Sequence, residues 1–168
     1  MLALALATIL FSPAAAVAVP GSLQAPPCSG DATRWEVRGD AGVLLEEGPC
    51  RAGRPDGRWI YRHDNGTVAA EGAFSAGERN GRWVFRFQNG SVASEGAYVR
   101  GLEDGIWVER SASGEVEEGA YHLGERVGSW DVRTSDGDRA TIEYAGDVPV
   151  ELHAKSGSAK RGMTAPGR

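Results

Sequence analysis

Five tryptophans stand at positions 35, 59, 83, 107 and 130, so successive gaps are 24, 24, 24 and 23 residues. A fixed period in this range marks a repeat array, and it constrains the fold more than any local propensity does. Seven residues after each Trp comes a glycine: Gly42, Gly66, Gly90, Gly114 and Gly137. Asn65 and Asn89 precede two of these, and Asp136 precedes another. Asn-Gly between apolar runs is a strong hairpin signal, because both residues of a two-residue turn need positive φ. Each unit therefore reads as a β-hairpin that starts at its Trp, turns at its Gly and runs back.

With a two-residue turn at Asn65-Gly66, Trp59 lies opposite Gly72, Ile60 opposite Glu71 and Arg62 opposite Ala69. Side chains alternate faces along a strand. The apolar face then carries Trp59, Tyr61, Val68, Gly72 and Phe74. In the next unit it carries Trp83, Phe85, Phe87, Val92, Gly96 and Tyr98. A Trp facing a Gly is expected to lay its ring over bare backbone, which accounts for a Gly inside a strand.

The opposite face is charged. Arg38, Arg62, Arg86, Arg110 and Arg133 each follow a Trp by three residues, and Glu47, Glu71, Glu95 and Glu118 stand on the returning strands. They read as interleaved rows of opposite charge that fix register while contributing little stability pair by pair. The connectors SAGERNG, VRGLEDG and HLGERVG read as Gly-rich loops.

The ends depart from the pattern. Gly90 to Tyr98 is eight residues, whereas Gly114 to Tyr121 and Gly137 to Tyr144 are seven. The last unit has Thr141-Ile142 in place of Glu-Gly, and the first has Cys50 in place of the returning aromatic. Atypical terminal units are expected of a repeat stack.

The start, MLALALATILFSPAAAVAVPG, is apolar and then small, and Ala16-Val17-Ala18 fits an export cleavage pattern, although no Lys or Arg precedes the run. The expected organisation is a signal peptide over 1–18, a leader or cap over 19–33, the hairpin array over 34–146 and a flexible tail over 147–168. Export, to the periplasm or the medium, makes Cys28 and Cys50 an expected disulfide.

The fold class is thus all-β: an elongated array of about five stacked antiparallel β-hairpins in a single twisted sheet. The quoted units, G-x-W with a turn Gly and a later E-G-x-(Y/F)-x-x-G, resemble the MORN-repeat-variant family over about residues 35–144. That resemblance implies stacked hairpins and a scaffold, dimerisation or lipid-contacting role. Bacterial members are often labelled antitoxin-like. It implies no catalytic residues.

The residues lead to the same class of function. A net charge of −5, from 18 basic and 23 acidic residues, disfavours nucleic acid as a partner. His63, His122 and His153 occupy unrelated places and share no ligand spacing, so no metal or cofactor is expected. Identical Glu in every unit suits a lattice, whereas catalytic carboxylates need distinct environments. The expected function is a non-enzymatic exported scaffold for protein–protein contact, with self-association through an edge or face. The alternatives are glycan or lipid binding in the cell envelope and neutralisation of a toxin-like partner. The candidate interaction face is Trp59, Tyr61, Trp83, Phe85, Phe87 and Trp107.

Overall fold

Two kinds of turn alternate along the chain, and together they set the whole topology. The computed structural model describes Cys28 and residues 33–155. The strands are β1 (Arg34–Arg38), β2 (Leu44–Arg51), β3 (Arg54–Pro55), β4 (Gly57–Arg62), β5 (Val68–Ser75), β6 (Glu78–Arg86), β7 (Val92–Val99), β8 (Leu102–Arg110), β9 (Val116–His122), β10 (Glu125–Arg133), β11 (Arg139–Ala145) and β12 (Val148–Lys155). They form one antiparallel sheet in sequence order, with the short β3 pairing only β2. The expected all-β hairpin array is what the chain forms.

The turn chemistry is distributed differently from the expectation. At Asn65-Gly66 the Gly66 amide donates to the His63 carbonyl at 2.8 Å and the His63 amide to the Thr67 carbonyl at 2.9 Å. Only Gly66 there has positive φ, at 83°. This is a three-residue loop: a type I turn closed by a left-handed Gly. The two-residue turns with both φ positive lie in the connectors instead, as at Ala76 (φ 51°) and Gly77 (φ 94°). The connectors are therefore tight turns and not loops, and β6 begins directly at Glu78.

A three-residue loop shifts pairing by one, and the chain absorbs the shift with a bulge. Tyr61 faces Ala70 but Arg62 faces Val68, which leaves Ala69 as the extra residue. Ala93 does the same in the third hairpin, between Phe85–Ser94 and Arg86–Val92. The fourth and fifth hairpins are one residue shorter and have no bulge: Arg110 faces Val116 and Trp107 faces Gly119 in unbroken register. The expected pairings of Trp59 with Gly72 and Ile60 with Glu71 hold. Nearer the turn the order changes: Arg62 does not face Ala69, and Val68 and Val92 share the face of Arg62 and Arg86.

A second irregularity places the indoles. Glu71 pairs Val84, and the next pair is Ala73 with Asn80, so Gly81, Arg82 and Trp83 together oppose Gly72. Extra residues on one strand bend it. The Trp83 ring thereby lies on Gly72 of the preceding hairpin, with Cδ2 2.2 Å from where a β-carbon would be. Trp59 covers Gly48, Trp107 covers Gly96 and Trp130 covers Gly119 in the same way. Each ring covers the glycine of the unit before it, not the one opposite in its own hairpin. Each of these indole N–H groups also donates to a backbone carbonyl ten residues earlier: Pro49, Ala73, Ala97 and Ala120, at 3.0–3.2 Å.

The last unit shows the rule by its exception. No sixth Trp follows, and Ile142, 3 % exposed, fills the glycine position itself. Strand β12 then pairs β11, with Leu152 facing Ile142. The segment 148–155, expected to belong to a flexible tail, is thus a strand. Beyond it, as with the signal peptide, the expected tail lies outside the described residues.

The rims are stitched as well. Gly77, Gly101 and Gly124 each donate their amide to the preceding unit, at Pro55, Arg79 and Glu103, at 2.8–2.9 Å. On the other rim the His63 ring Nε2 donates to the Arg86 carbonyl at 2.9 Å, and Asn65 Nδ2 donates to the Gln88 carbonyl at 3.1 Å.

Candidate functional site

The aromatic row comes first, because the sequence nominates it. Trp59 and Trp83 are 0 % exposed, Trp107 3 %, Tyr61 2 % and Phe85 6 %. Trp83 is held edge-on by Phe74 and Tyr98, with ring centroids 5.2 and 6.2 Å away, while Tyr61 and Phe85 lie alongside at 6.2 and 5.9 Å. Bare glycine backbone supports it from below. Burying one such ring contributes about 4–6 kcal/mol by area, an upper bound. Of the six nominated residues, only Phe87 is half-buried, at the hairpin rim next to its turn. A ligand reaching the other five has to displace the packing of the array.

The charged face forms a ladder. Glu47 takes Arg34 at 2.5 Å from its own hairpin and Arg62 at 2.6 Å from the next. Glu71 takes Arg58 at 2.6 Å and Arg86 at 3.6 Å, and Glu95 takes Arg82 at 2.6 Å and Arg110 at 3.4 Å. Arg34, Arg58 and Arg82 join the ladder beyond the expected rows, and the sequence signal for them is an Arg directly before three of the tryptophans. Hydrogen bonds from Arg62, Arg58 and Arg82, respectively, are the main cause that holds the Glu47, Glu71 and Glu95 carboxyls below their ordinary range.

Two departures break the repeat. The first is on the aromatic face, where Glu109 stands in the place of Tyr61 and Phe85 and faces Glu117 across the strands. Arg126 reaches between them, at 2.7 Å to Glu109 and 2.9 Å to Glu117, and its guanidinium lies 4.1 Å above the Trp130 ring. The Tyr121 hydroxyl donates to Glu109 at 2.8 Å, and Arg126 also reaches the Tyr144 hydroxyl at 3.3 Å. Burial pushes the Glu109 carboxyl up despite Arg126, while Arg126 itself is held protonated more firmly. Removing a carboxylate from water carries a cost that an ion pair need not offset.

The second departure is on the charged face, where Ile106 occupies the place of Arg34, Arg58 and Arg82. It is 61 % exposed; four residues back along β8, beyond the Asp104–His122 pair, Leu102 is 45 % exposed, and Val99 and Leu123 are 41 and 57 % exposed. Val99 faces Leu102 across the turn at Arg100-Gly101, and the Leu102 side chain borders Gly124 of the next turn. Exposed apolar side chains therefore interrupt an otherwise ionic surface, at Ile106 and at the connector turns.

No protein-family model matches the chain, and no curated protein is significantly similar to it. The remaining chemistry is read from the residues. Cys28 and Cys50 form a disulfide with Cα atoms 5.9 Å apart, in the expected pairing. Such a bridge is compatible with an oxidising compartment. Among the described residues no group of three or more His, Cys, Asp or Glu is placed to hold a metal. His63 is buried against the Arg86 carbonyl, whereas His122 and His153 sit 3.4 and 3.3 Å from Asp104 and Glu151, far from one another in the strand order.

Proposed function

We propose that this chain is a non-enzymatic, exported repeat scaffold of the MORN-variant kind, acting by protein–protein contact through its outer face. The observation that carries the reading is Ile106, 61 % exposed where three other units carry Arg, with Val99, Leu102 and Leu123 also exposed at the connector turns. Large apolar side chains exposed on a charged background favour contact between proteins. The aromatic row, by contrast, is used up in packing. The Cys28–Cys50 bridge agrees with export.

The repeat itself supplies the test. Ile106→Arg restores the residue type that three earlier units carry at that position, so the array is expected to keep its fold. Capture of partners by the mature chain from its own periplasm or medium, followed by mass spectrometry, is expected to yield a protein that Ile106→Arg loses. Undiminished capture by that variant would contradict the proposal.

A further inference from the structure

The charge ladder has one open rung. Arg62, Arg86 and Arg110 each reach the glutamate of the preceding hairpin, at Glu47, Glu71 and Glu95. The next in the series would be Arg133 to Glu118, and among the described residues that pair is not formed. A hollow of about 470 Å³ lies there instead, lined on the outer face by Val116, Glu118, Asp131, Arg133, Arg139 and Thr141.

Two substitutions within the repeat create it. Hairpin three has aliphatic Val84 and Val92 in this neighbourhood, and hairpin five has Asp131 and Arg139 in their places. The register puts Glu118 beside Asp131 and Asp131 beside Thr141, and it puts Val116 beside Arg133 and Arg133 beside Arg139. One row thus presents two carboxylates and a hydroxyl, with Thr141 donating to Asp131 at 3.0 Å. The next row presents two guanidiniums side by side. Like charges directly across strands are destabilising, and although the two rows are neighbours of opposite sign, among the described residues no ion pair joins Glu118 or Asp131 to Arg133 or Arg139.

We propose that this hollow binds a small zwitterion, with its carboxylate between Arg133 and Arg139 and its ammonium at Glu118 and Asp131. Rows two residues apart along a strand are about 6.7 Å apart. An extended dipeptide places its ammonium and carboxylate about 5–6.5 Å apart, which matches that spacing better than a single α-amino acid does. Paired guanidiniums suit bidentate carboxylate recognition.

The test is a titration of isotope-labelled mature protein with alanyl-alanine, followed by amide and side-chain shifts. Saturable shifts are expected at Val116, Arg133 and Thr141. Acetylating the dipeptide's amine, or converting its carboxylate to the amide, is expected to weaken binding by about tenfold or more. Arg139→Val and Asp131→Val, which bring in the residue type of hairpin three, are each expected to weaken it by a similar factor, with the Trp130 indole resonance unchanged as a check on the fold. The absence of saturable shifts up to about 10 mM would overturn the proposal. So would equal binding of the blocked dipeptides by the unaltered protein, a comparison that needs no variant to fold.

Discussion

The indole of Trp83 rests on the backbone of Gly72, one hairpin earlier, so closely that a β-carbon on Gly72 would stand 2.2 Å from the ring. This contact, repeated at four places, joins one hairpin to the next, and it makes glycine a packing residue rather than a turn residue. Gly72→Ala is expected to cost about 3 kcal/mol or more, because neither ring nor backbone has room to move. Gly81→Ala meets nothing within 4 Å but sits at φ 75°, so it is expected to cost only about 1–2 kcal/mol. Urea denaturation monitored by tryptophan emission compares the two.

The same site has the opposite sign in the last hairpin. Ile142 fills the space where a following Trp would enter, so Ile142→Gly is expected to destabilise by about 3–5 kcal/mol. Glycine is then required at 48, 72, 96 and 119 and harmful at 142. Thermal unfolding of Ile142→Gly beside Gly119→Ala is the direct comparison, and both are expected to lower the midpoint.

Arg126 keeps two carboxylates on the apolar face. Removing it alone, as Arg126→Leu, leaves Glu109 and Glu117 half-buried without a counter-charge and is expected to cost about 1–3 kcal/mol. Restoring the residues of hairpin three at the same time, in Glu109→Phe/Glu117→Ser/Arg126→Leu, is expected to be neutral or stabilising, because Phe85 and Ser94 already pack at those positions. Denaturation of the two variants separates an ion cluster that stabilises from one that is merely tolerated.

The Glu71 carboxyl is held low first by its hydrogen bond from Arg58. A carboxyl lowered in the folded state contributes stability that is present above its unfolded pKa, about 4.3, and is lost as pH falls through the folded value. Glu109 is raised, so its contribution runs the other way and weakens as pH climbs from about 4.3 through the folded value. Carboxyl titration by NMR is expected to show Glu71 moving up toward its ordinary value in Arg58→Ala, with Glu109 unmoved. Because these pairs are close to solvent, the accompanying change in stability is expected to be small, about 0–1 kcal/mol.

The Cys28–Cys50 bridge closes a span of 22 residues. Its loss, in Cys28→Ser/Cys50→Ser, is expected to cost about 3 kcal/mol. In a one-dimensional array the loss is expected to loosen the first hairpin most. Hydrogen exchange checks this: faster exchange in β1 and β2, with β7 and β8 unchanged.

Much of this was legible in advance. The even spacing of Trp35 to Trp130 identifies hairpins, and Cys50 in the aromatic place points to the bridge. The turns were harder to read, since Asn65-Gly66 fits two loop lengths, and only the bulge at Ala69 distinguishes them. Alternation along a strand places Trp83 and Gly72 on one face, but it does not say which neighbour's ring covers which glycine. That depends on the three-against-one bulge at Gly81. Glu109 and Arg126 were hidden among ordinary charges, because their significance lies in repeat position: one replaces Tyr61 and Phe85, and the other stands where Pro55 and Arg79 stand. Strand β12 was missed because it carries no Trp to mark it.

Acrylamide quenching of tryptophan emission addresses the closed aromatic face most directly. With Trp59, Trp83, Trp107 and Trp130 between 0 and 3 % exposed and only Trp35 partly open, the account predicts blue-shifted emission that is mostly protected from quencher, leaving one accessible component that Trp35→Phe removes. Red-shifted emission quenched uniformly across all five indoles would contradict it.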